Sequence, residues 1–131
     1  MQPIVKPGKP YILVIEDNED MREALETALT EAEFDVVTAD TTERGLERFT
    51  DKQPDAILLD IITGSMHGSL FLRRLRELPA GKDCPVIVLT NLEDDHIKQM
   101  MHEYDIFAYL IKANTPLNDI VETVRGSLVM H

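Results

Sequence analysis

The sequence predicts a doubly wound α/β domain, in which parallel strands alternate with helices that cover both faces of one sheet. Short connections between strictly alternating β and α segments require parallel pairing and right-handed crossovers. The predicted strands are short runs rich in β-branched and other apolar residues, as in strands buried on both faces. They are YILVI (11–15), DVVTA (35–39), DAILLDI (55–61), PVIVLT (85–90) and FAYLIK (107–112).

The segments between the strands carry apolar residues at helical spacing and begin with helix-start signals, which predicts five helices. Asn18 is expected to cap the first helix. Asp40 with Glu43 resembles a capping box for the second, and Thr115 followed by Pro116 predicts a cap and a first-turn proline for the fifth. The third and fourth helices are predicted over residues 69–78 and 94–103.

The length and composition indicate one domain. A chain of 131 residues is about one domain long, so we expect a loose lead-in over residues 1–8 and a single domain over residues 9–131. No apolar run approaches the roughly 20 residues of a membrane span, and the first ten residues lack a signal-peptide core. The lone cysteine, Cys84, cannot form an internal disulfide. We therefore expect a cytoplasmic protein that does not enter the membrane.

The charge argues against a nucleic-acid partner. The formal net charge is −11, with 24 acidic and 13 basic residues, and such a surface repels a phosphate backbone. The phosphate-binding motifs GxxxxGK[ST] and GxGxxG are absent from the sequence. The sequence therefore disfavours direct binding to DNA or RNA. It also disfavours nucleotide binding by a glycine-rich phosphate-binding loop.

Polar residues follow the predicted strands at the points where the strands end. Glu16 and Asp17 follow the first predicted strand, and Asp60 follows the apolar run Ala56–Leu59 of the third. Thr90 is the last residue of the fourth predicted strand, and Lys112 is the last residue of the fifth. Ligand sites of open α/β sheets lie beyond the carboxyl ends of the strands. In the flavodoxin-like strand order 2-1-3-4-5, these side chains converge on one edge.

This convergence predicts a magnesium site that handles phosphoryl groups. Two carboxylates about 4 Å apart repel by roughly 4 kcal/mol at an effective dielectric near 20, so Glu16, Asp17 and Asp60 need a cation. Magnesium prefers oxygen ligands and is commonly held by carboxylates together with a phosphate. Lys112 supplies a further positive charge and Thr90 a hydroxyl.

An ordered set of motifs identifies a family resemblance. The set comprises the acidic pair of "VIEDNED", the aspartate of "ILLDI" with Gly68 eight positions later, the threonine of "VLTN", and "YLIK". With these motifs the chain, from about Lys9 to Met130, resembles a response-regulator receiver domain of two-component signalling, of the stand-alone type. Such a domain is a signalling phosphoprotein that catalyses at most its own phosphoryl transfer and dephosphorylation.

The resemblance implies a role for each residue at this edge. Asp60 would accept a phosphoryl group from a phosphohistidine. Asp17, Asp60 and the backbone carbonyl of Ile62 would hold Mg²⁺, with Glu16 acting mainly through a metal-bound water.

The resemblance also implies a switch and partners. Thr90 and Lys112 would contact phosphoryl oxygens, and Tyr109 would turn inward when Thr90 shifts. The donor would be a histidine kinase or phosphotransfer protein, and a downstream protein would read the face formed by the fourth helix, fifth strand and fifth helix. A monomer or weak homodimer is expected.

Four positions depart from the family pattern. Gly64 stands where proline is usual, Asn91 where a small residue is usual, and Asp105 where glycine is frequent. Ala113 replaces the usual proline after Lys112, and a cis peptide before a non-proline residue costs about 2.5–4 kcal/mol, which leaves the isomer of that bond open. These departures keep a second interpretation open, a pseudo-receiver that acts only as a protein-interaction module without phosphorylation.

Overall fold

The observed sheet has the predicted topology. In the computed structural model, which describes residues 8–61 and 67–129, five parallel strands form one sheet in the order β2-β1-β3-β4-β5. The strands are β1 (Tyr11–Ile15), β2 (Asp35–Ala39), β3 (Ala56–Leu59), β4 (Val86–Thr90) and β5 (Ala108–Ile111). The helices are α1 (Glu19–Glu31), α2 (Thr42–Asp51), α3 (Gly68–Glu77), α4 (Asp95–His102) and α5 (Leu117–Ser127). The predicted α/β fold class, with five strands and five helices, is confirmed.

Two apolar clusters lie on opposite faces of the sheet. Because successive strand residues point to opposite faces, Leu13 and Ile15 pack with side chains of α2, α3 and α4. Ile12 and Val14 pack instead with side chains of α1 and α5. The continuous apolar runs of the central strands follow from this double coverage.

The strands are shorter than the predicted runs at β3, β4 and β5. Asp55, at the start of the third run, lies just before β3: its backbone N–H donates to the Tyr11 carbonyl at 2.6 Å, and its Oδ2 accepts from the Tyr11 N–H at 2.7 Å. Lys112 begins a short 3₁₀ turn, Lys112–Asn114, instead of ending β5. The edge strands β2 and β5 are mostly only half-buried, so the expectation of full burial on both faces was wrong for them.

The predicted helix positions hold to within about a residue, but two caps differ. Asn18 caps α1 as predicted, since its side chain accepts from Met21 N. The cap of α2 is Thr41, not Asp40, because the Thr41 hydroxyl accepts from Arg44 N. Pro116 takes the cap position of α5 without a side-chain bond, while the Thr115 hydroxyl donates to the carbonyl of Ile111.

The departures from the family pattern have different structural outcomes. Asp105 adopts φ 59°, a left-handed conformation that aspartate tolerates better than most residues. The peptide bonds of the described residues, including Lys112–Ala113, are all trans. Gly64 lies outside the described residues. Within the part of the chain that the structure describes, no helix has the length and apolar character of a membrane span.

Candidate functional site

The loop after β1 is held by hydrogen bonds that fix its two acidic residues. The backbone N–H of Glu16 donates to the carbonyl of Ala39 at 3.0 Å, and Glu16 Oε2 accepts from Asn18 N at 3.1 Å. Arg22, on α1, donates through Nη1 to the carbonyls of Glu16 at 3.0 Å and Asp17 at 3.4 Å. Glu16 is only 1% exposed in this arrangement. The next residue, Asp17, is exposed to solvent.

Asp60 lies immediately after β3 at the same edge of the sheet. Its backbone N–H donates to the carbonyl of Ile15 at 2.9 Å, which extends the β1–β3 pairing by one bond. Its side chain is buried, with 7% of the residue surface exposed. The end of a central strand therefore aims this carboxylate toward Glu16 and Asp17.

The ammonium group of Lys112 bridges the two buried carboxylates. Lys112 Nζ lies 2.6 Å from Glu16 Oε1 and 2.9 Å from Asp60 Oδ2. The residue follows β5 directly, two strands away from β3 in the sheet. The geometry brings together side chains that are up to 96 positions apart in the sequence.

Glu16, Asp17 and Asp60 form an acidic cluster that suits a hard divalent cation. Each offers one carboxylate oxygen, and the three oxygens lie within 4.8 Å of one another. Three carboxylates opposed by one ammonium leave a formal charge of −2 in the cluster. Oxygen donors and residual negative charge are what Mg²⁺ requires, so the residues present fit this ion.

Burial and ion pairing act in opposite directions on the two coupled groups. Burial raises the pKa of the Glu16 carboxyl above its ordinary value, and the hydrogen bonds from Lys112 and Asn18 only partly offset this. For Lys112, burial acts to lower the pKa, but the hydrogen bonds to Glu16 and Asp60 outweigh it and leave the pKa raised. Lys112 therefore remains a cation at neutral pH.

Thr90 and Tyr109 are both hydrogen-bonded to the backbone of Leu92, the second residue of the loop after β4. Thr90 is 1% exposed, and its Oγ1 accepts from Leu92 N at 3.3 Å. The Tyr109 hydroxyl donates to the carbonyl of Leu92 at 2.6 Å. The half-buried Tyr109 ring packs against the core cluster beneath α4. A shift of the segment that contains Thr90 and Leu92 would thus alter the hydrogen bond of Tyr109. The inward turn of Tyr109 that the resemblance implies stays a prediction.

Two further residues, Ile62 and Gly68, follow Asp60 closely in the sequence. Ile62, whose carbonyl the resemblance assigns to the metal, lies outside the described residues. Gly68, singled out by its spacing from Asp60, begins α3 and donates its N–H to the Ile61 carbonyl at 3.1 Å. A Cβ at Gly68 would lie 2.7 Å from the Ile61 Cα, so the close approach of α3 to the residue after Asp60 requires glycine.

The structure also shows contributors that sequence reasoning missed. Arg22 holds the loop carbonyls, and its only sequence signal is its position one turn into the helix after the acidic pair. Asn91 Oδ1 accepts a hydrogen bond from Ala113 N at 3.0 Å. Asn91 and Ala113 both depart from the family pattern, but nothing in the sequence indicates that they contact each other.

Comparison with known protein families shows which family the chain belongs to. A model of the response regulator receiver domain matches residues 12–125. The chain belongs to this family. In sequence, the receiver domain is 37% identical over 86 residues to the transcriptional regulatory protein AfsQ1 of Streptomyces coelicolor, covering 66% of this chain and 37% of that protein. It is 30% identical over 117 residues to the phosphate regulon transcriptional regulatory protein PhoB of Pseudomonas aeruginosa, covering 89% and 51%.

Solved structures agree with this assignment. The receiver domain superposes with a TM-score of 0.84 on a putative response regulator from Chloroflexus aurantiacus, at 27% identity and covering 92% of this chain and 98% of that one. It superposes with a TM-score of 0.82 on the BeF3-activated receiver domain of Klebsiella pneumoniae RstA, at 27% identity and covering 92% and 99%. The chain spans only about a third to a half of the length of the curated regulators cited above.

Membership in the family assigns a general role to the receiver domain. It is a signal-transduction module of two-component response regulators, and such domains interact with histidine kinases and downstream effectors. Receiver domains bind Mg²⁺ at an acidic pocket, and in this one Glu16, Asp17 and Asp60 form such a cluster.

Proposed function

We propose that this receiver domain is phosphorylated on Asp60 by a histidine kinase or phosphotransfer protein with Mg²⁺, and that phosphorylation switches a protein-interaction surface. The observation that carries the proposal is the convergence of Glu16, Asp17 and Asp60 on one another, with Lys112 Nζ at 2.6 and 2.9 Å from two of them. Glu16 and Asp60 are both buried, and buried like charges destabilise a fold unless cations compensate them, so the cluster favours a functional role over a stabilising one.

The transfer step follows from the chemistry of the side chains. A carboxylate oxygen of Asp60 attacks the phosphorus of a phosphohistidine, the P–N bond breaks, and the departing imidazole nitrogen retains the bonding electron pair and takes up a proton. Lys112 neutralises the negative charge that develops on the transferred phosphoryl group. The hydroxyl of Thr90 donates a hydrogen bond to a phosphoryl oxygen. Asp17, Asp60 and, as the resemblance implies, the carbonyl of Ile62 would hold Mg²⁺, which would supply further electrostatic stabilisation.

The output surface lies next to Tyr109. A surface depression beside this ring is lined by Glu93, Asp94, Lys98 and Ile111, so α4 and β5 contribute to one face. Movement of the Thr90–Leu92 segment on phosphorylation would change the contact between Tyr109 and the Leu92 carbonyl. A downstream protein that binds this face would then distinguish the two states.

Phosphorylation is tested by intact-mass measurement after incubation with acetyl phosphate and magnesium. The native chain should gain one phosphoryl mass, Asp60→Asn should gain none, and Asp119→Asn, which alters an exposed carboxylate on α5, should label like the native chain. Labelling that persists in Asp60→Asn would disprove the assignment. A native chain that acquires no phosphoryl group from acetyl phosphate or from a phosphorylated histidine kinase would instead support the pseudo-receiver.

A further inference from the structure

Side-chain hydrogen bonds join the loop after β4 to β5 and to the turn that follows β5. This loop, residues 91–94, connects β4 to the start of α4. The bonds run from Tyr109 OH to the Leu92 carbonyl at 2.6 Å, from Ala113 N to Asn91 Oδ1 at 3.0 Å, and from Asn114 Nδ2 to Glu93 Oε1 at 3.4 Å. Hydrogen bonds to this loop therefore flank Lys112 in the sequence, at Tyr109 before it and at Ala113 and Asn114 after it.

The bond between Asn91 and Ala113 depends on the identity of both residues. The last paired residues of the β4–β5 ladder are Thr90 and Ile111, so the side chain of Asn91 supplies an acceptor just past the end of the backbone pairing. A proline at position 113 would have no N–H to donate. A small apolar residue at position 91 would have no side-chain oxygen to accept this hydrogen bond. Asparagine at one position and a non-proline residue at the other thus form a matched pair.

The bonded turn carries the lysine of the acidic cluster. Ala113 is the residue directly after Lys112, whose ammonium group bridges Glu16 Oε1 and Asp60 Oδ2. A lysine side chain has a flexible four-carbon stem, so the position of its ammonium depends on how firmly its backbone is held. β5 holds the backbone before Lys112, and the Asn91 bond holds it directly afterwards.

We infer that Asn91 is a positioning residue, which holds the Lys112 turn through the Ala113 N–H so that the Lys112 ammonium stays at Asp60. This inference rests on the proposed function, in which Lys112 neutralises the transferred phosphoryl group. Reactive groups held in position in advance lower the barrier of a transfer step. Loss of the bond lets the turn move and lowers the fraction of molecules in which Lys112 is correctly placed.

The inference is tested with a double-mutant cycle built from Asn91→Ala and Ala113→Pro. The rate of Asp60 labelling by acetyl phosphate should fall roughly two- to tenfold in Asn91→Ala, which is the effect expected from one lost neutral hydrogen bond. In the Ala113→Pro background, Asn91→Ala should have no further effect, because the donor is already absent. Asn118→Ala, an exposed asparagine on α5, serves as the control and should label at the native rate.

Two measurements need no phosphodonor and distinguish positioning from general destabilisation. In Asn91→Ala, the Ala113 amide should exchange its hydrogen faster, and the Lys112 ammonium resonance should shift or broaden in the NMR spectrum. Asn91→Asp keeps an acceptor oxygen and should restore the Ala113 protection. Neither signal should change in Asn118→Ala.

Specific results would overturn the inference. Unchanged Ala113 exchange in Asn91→Ala would show that the bond does not protect this amide, and an unchanged Lys112 resonance would show that it does not position the lysine. An equal loss of labelling rate in the native and Ala113→Pro backgrounds would show that Asn91 acts by another route. If the native chain is not labelled at all, the proposed function fails, while the two NMR measurements still decide the role of Asn91.

Discussion

At the scale of single residues, the acidic cluster has one compensating lysine, Lys112, and an excess of negative charge. Lys112 pairs with Glu16 and Asp60, and the pKa of Glu16 is still raised, chiefly because the carboxyl is buried. Asp17 remains outside that ion pair and is exposed to solvent. A divalent cation would reduce the remaining repulsion, and Asp17 is the member that can reach it with little disturbance of the core.

Magnesium should therefore stabilise the fold. At about ten times its dissociation constant, a ligand that binds only the folded state adds ~1.4 kcal/mol to the free energy of unfolding. For a chain of this length that raises Tm by roughly 4–6 °C. Asp17→Asn should lose most of this rise, whereas Asp20→Asn, an exposed change in the first turn of α1, should keep it. Thermal melts with and without magnesium check this, and a native Tm that magnesium does not change would contradict the metal site.

At the scale of elements, the site depends on how closely α3 approaches the end of β3. The first residue of α3 is Gly68, and a Cβ there would lie 2.6–2.7 Å from Cα, Cβ and Cγ2 of Ile61. Ile61 is itself buried and follows Asp60 directly. Any side chain at position 68 must therefore displace backbone next to Asp60. By contrast, a Cβ at Gly126 in α5 would meet only the Phe107 Cζ, at 3.9 Å, which is an ordinary contact.

Two glycine substitutions should consequently have opposite effects on stability. Gly68→Ala should lower the free energy of unfolding by about 1–3 kcal/mol, since it overpacks a site closed by backbone, and should also slow Asp60 labelling. Gly126→Ala should raise the free energy of unfolding by up to about 1 kcal/mol, because alanine favours the helix and fits without strain. Urea unfolding of both variants measures these changes. A Gly68→Ala variant as stable as the native chain would show that α3 can move away at little cost.

At the scale of the whole molecule, the two-sided core encloses the single cysteine. Cys84 precedes β4 and belongs to the cluster beneath α2, α3 and α4, with 7% of its surface exposed. Burial raises the pKa of its thiol to about 11, although the nearby Arg76 acts to lower it. Since the thiolate is the reactive form, both the high pKa and the burial protect this sulfur in the folded state.

Cys84 should therefore report global or local opening of the fold. At pH 8, the folded protein should react with a thiol reagent far more slowly than the unfolded chain, whose cysteine has an ordinary pKa near 8.5. Raising the pH toward 11 should accelerate the native reaction because the thiolate population grows. Measured labelling rates in buffer and in denaturant check this. Equal rates in the two conditions at pH 8 would mean that Cys84 is accessible in the native state.

The residue pattern alone predicts the architecture and the side chains that meet at the sheet edge. Alternating apolar and amphipathic segments predicted the strands, the helices and their order, because burial on both faces leaves a strong pattern in the residues. The strand ends predicted that Glu16, Asp17, Asp60 and Lys112 would meet. These predictions succeed because parallel pairing brings the carboxyl ends of strands to one edge, whatever the details of the loops.

The contacts between loops, in contrast, could not be predicted from the residue pattern. The ion pair that Lys112 makes with Glu16 and Asp60, and the bond from Ala113 to Asn91, join positions that are far apart in the sequence. The cap of α2 is likewise Thr41 in the structure, whereas the sequence predicted Asp40. Each of these contacts forms only where donor and acceptor come within a few tenths of an ångström of hydrogen-bonding distance. Local patterns carry no such information, because those distances arise only when the packed helices and strands fix where each loop begins and ends.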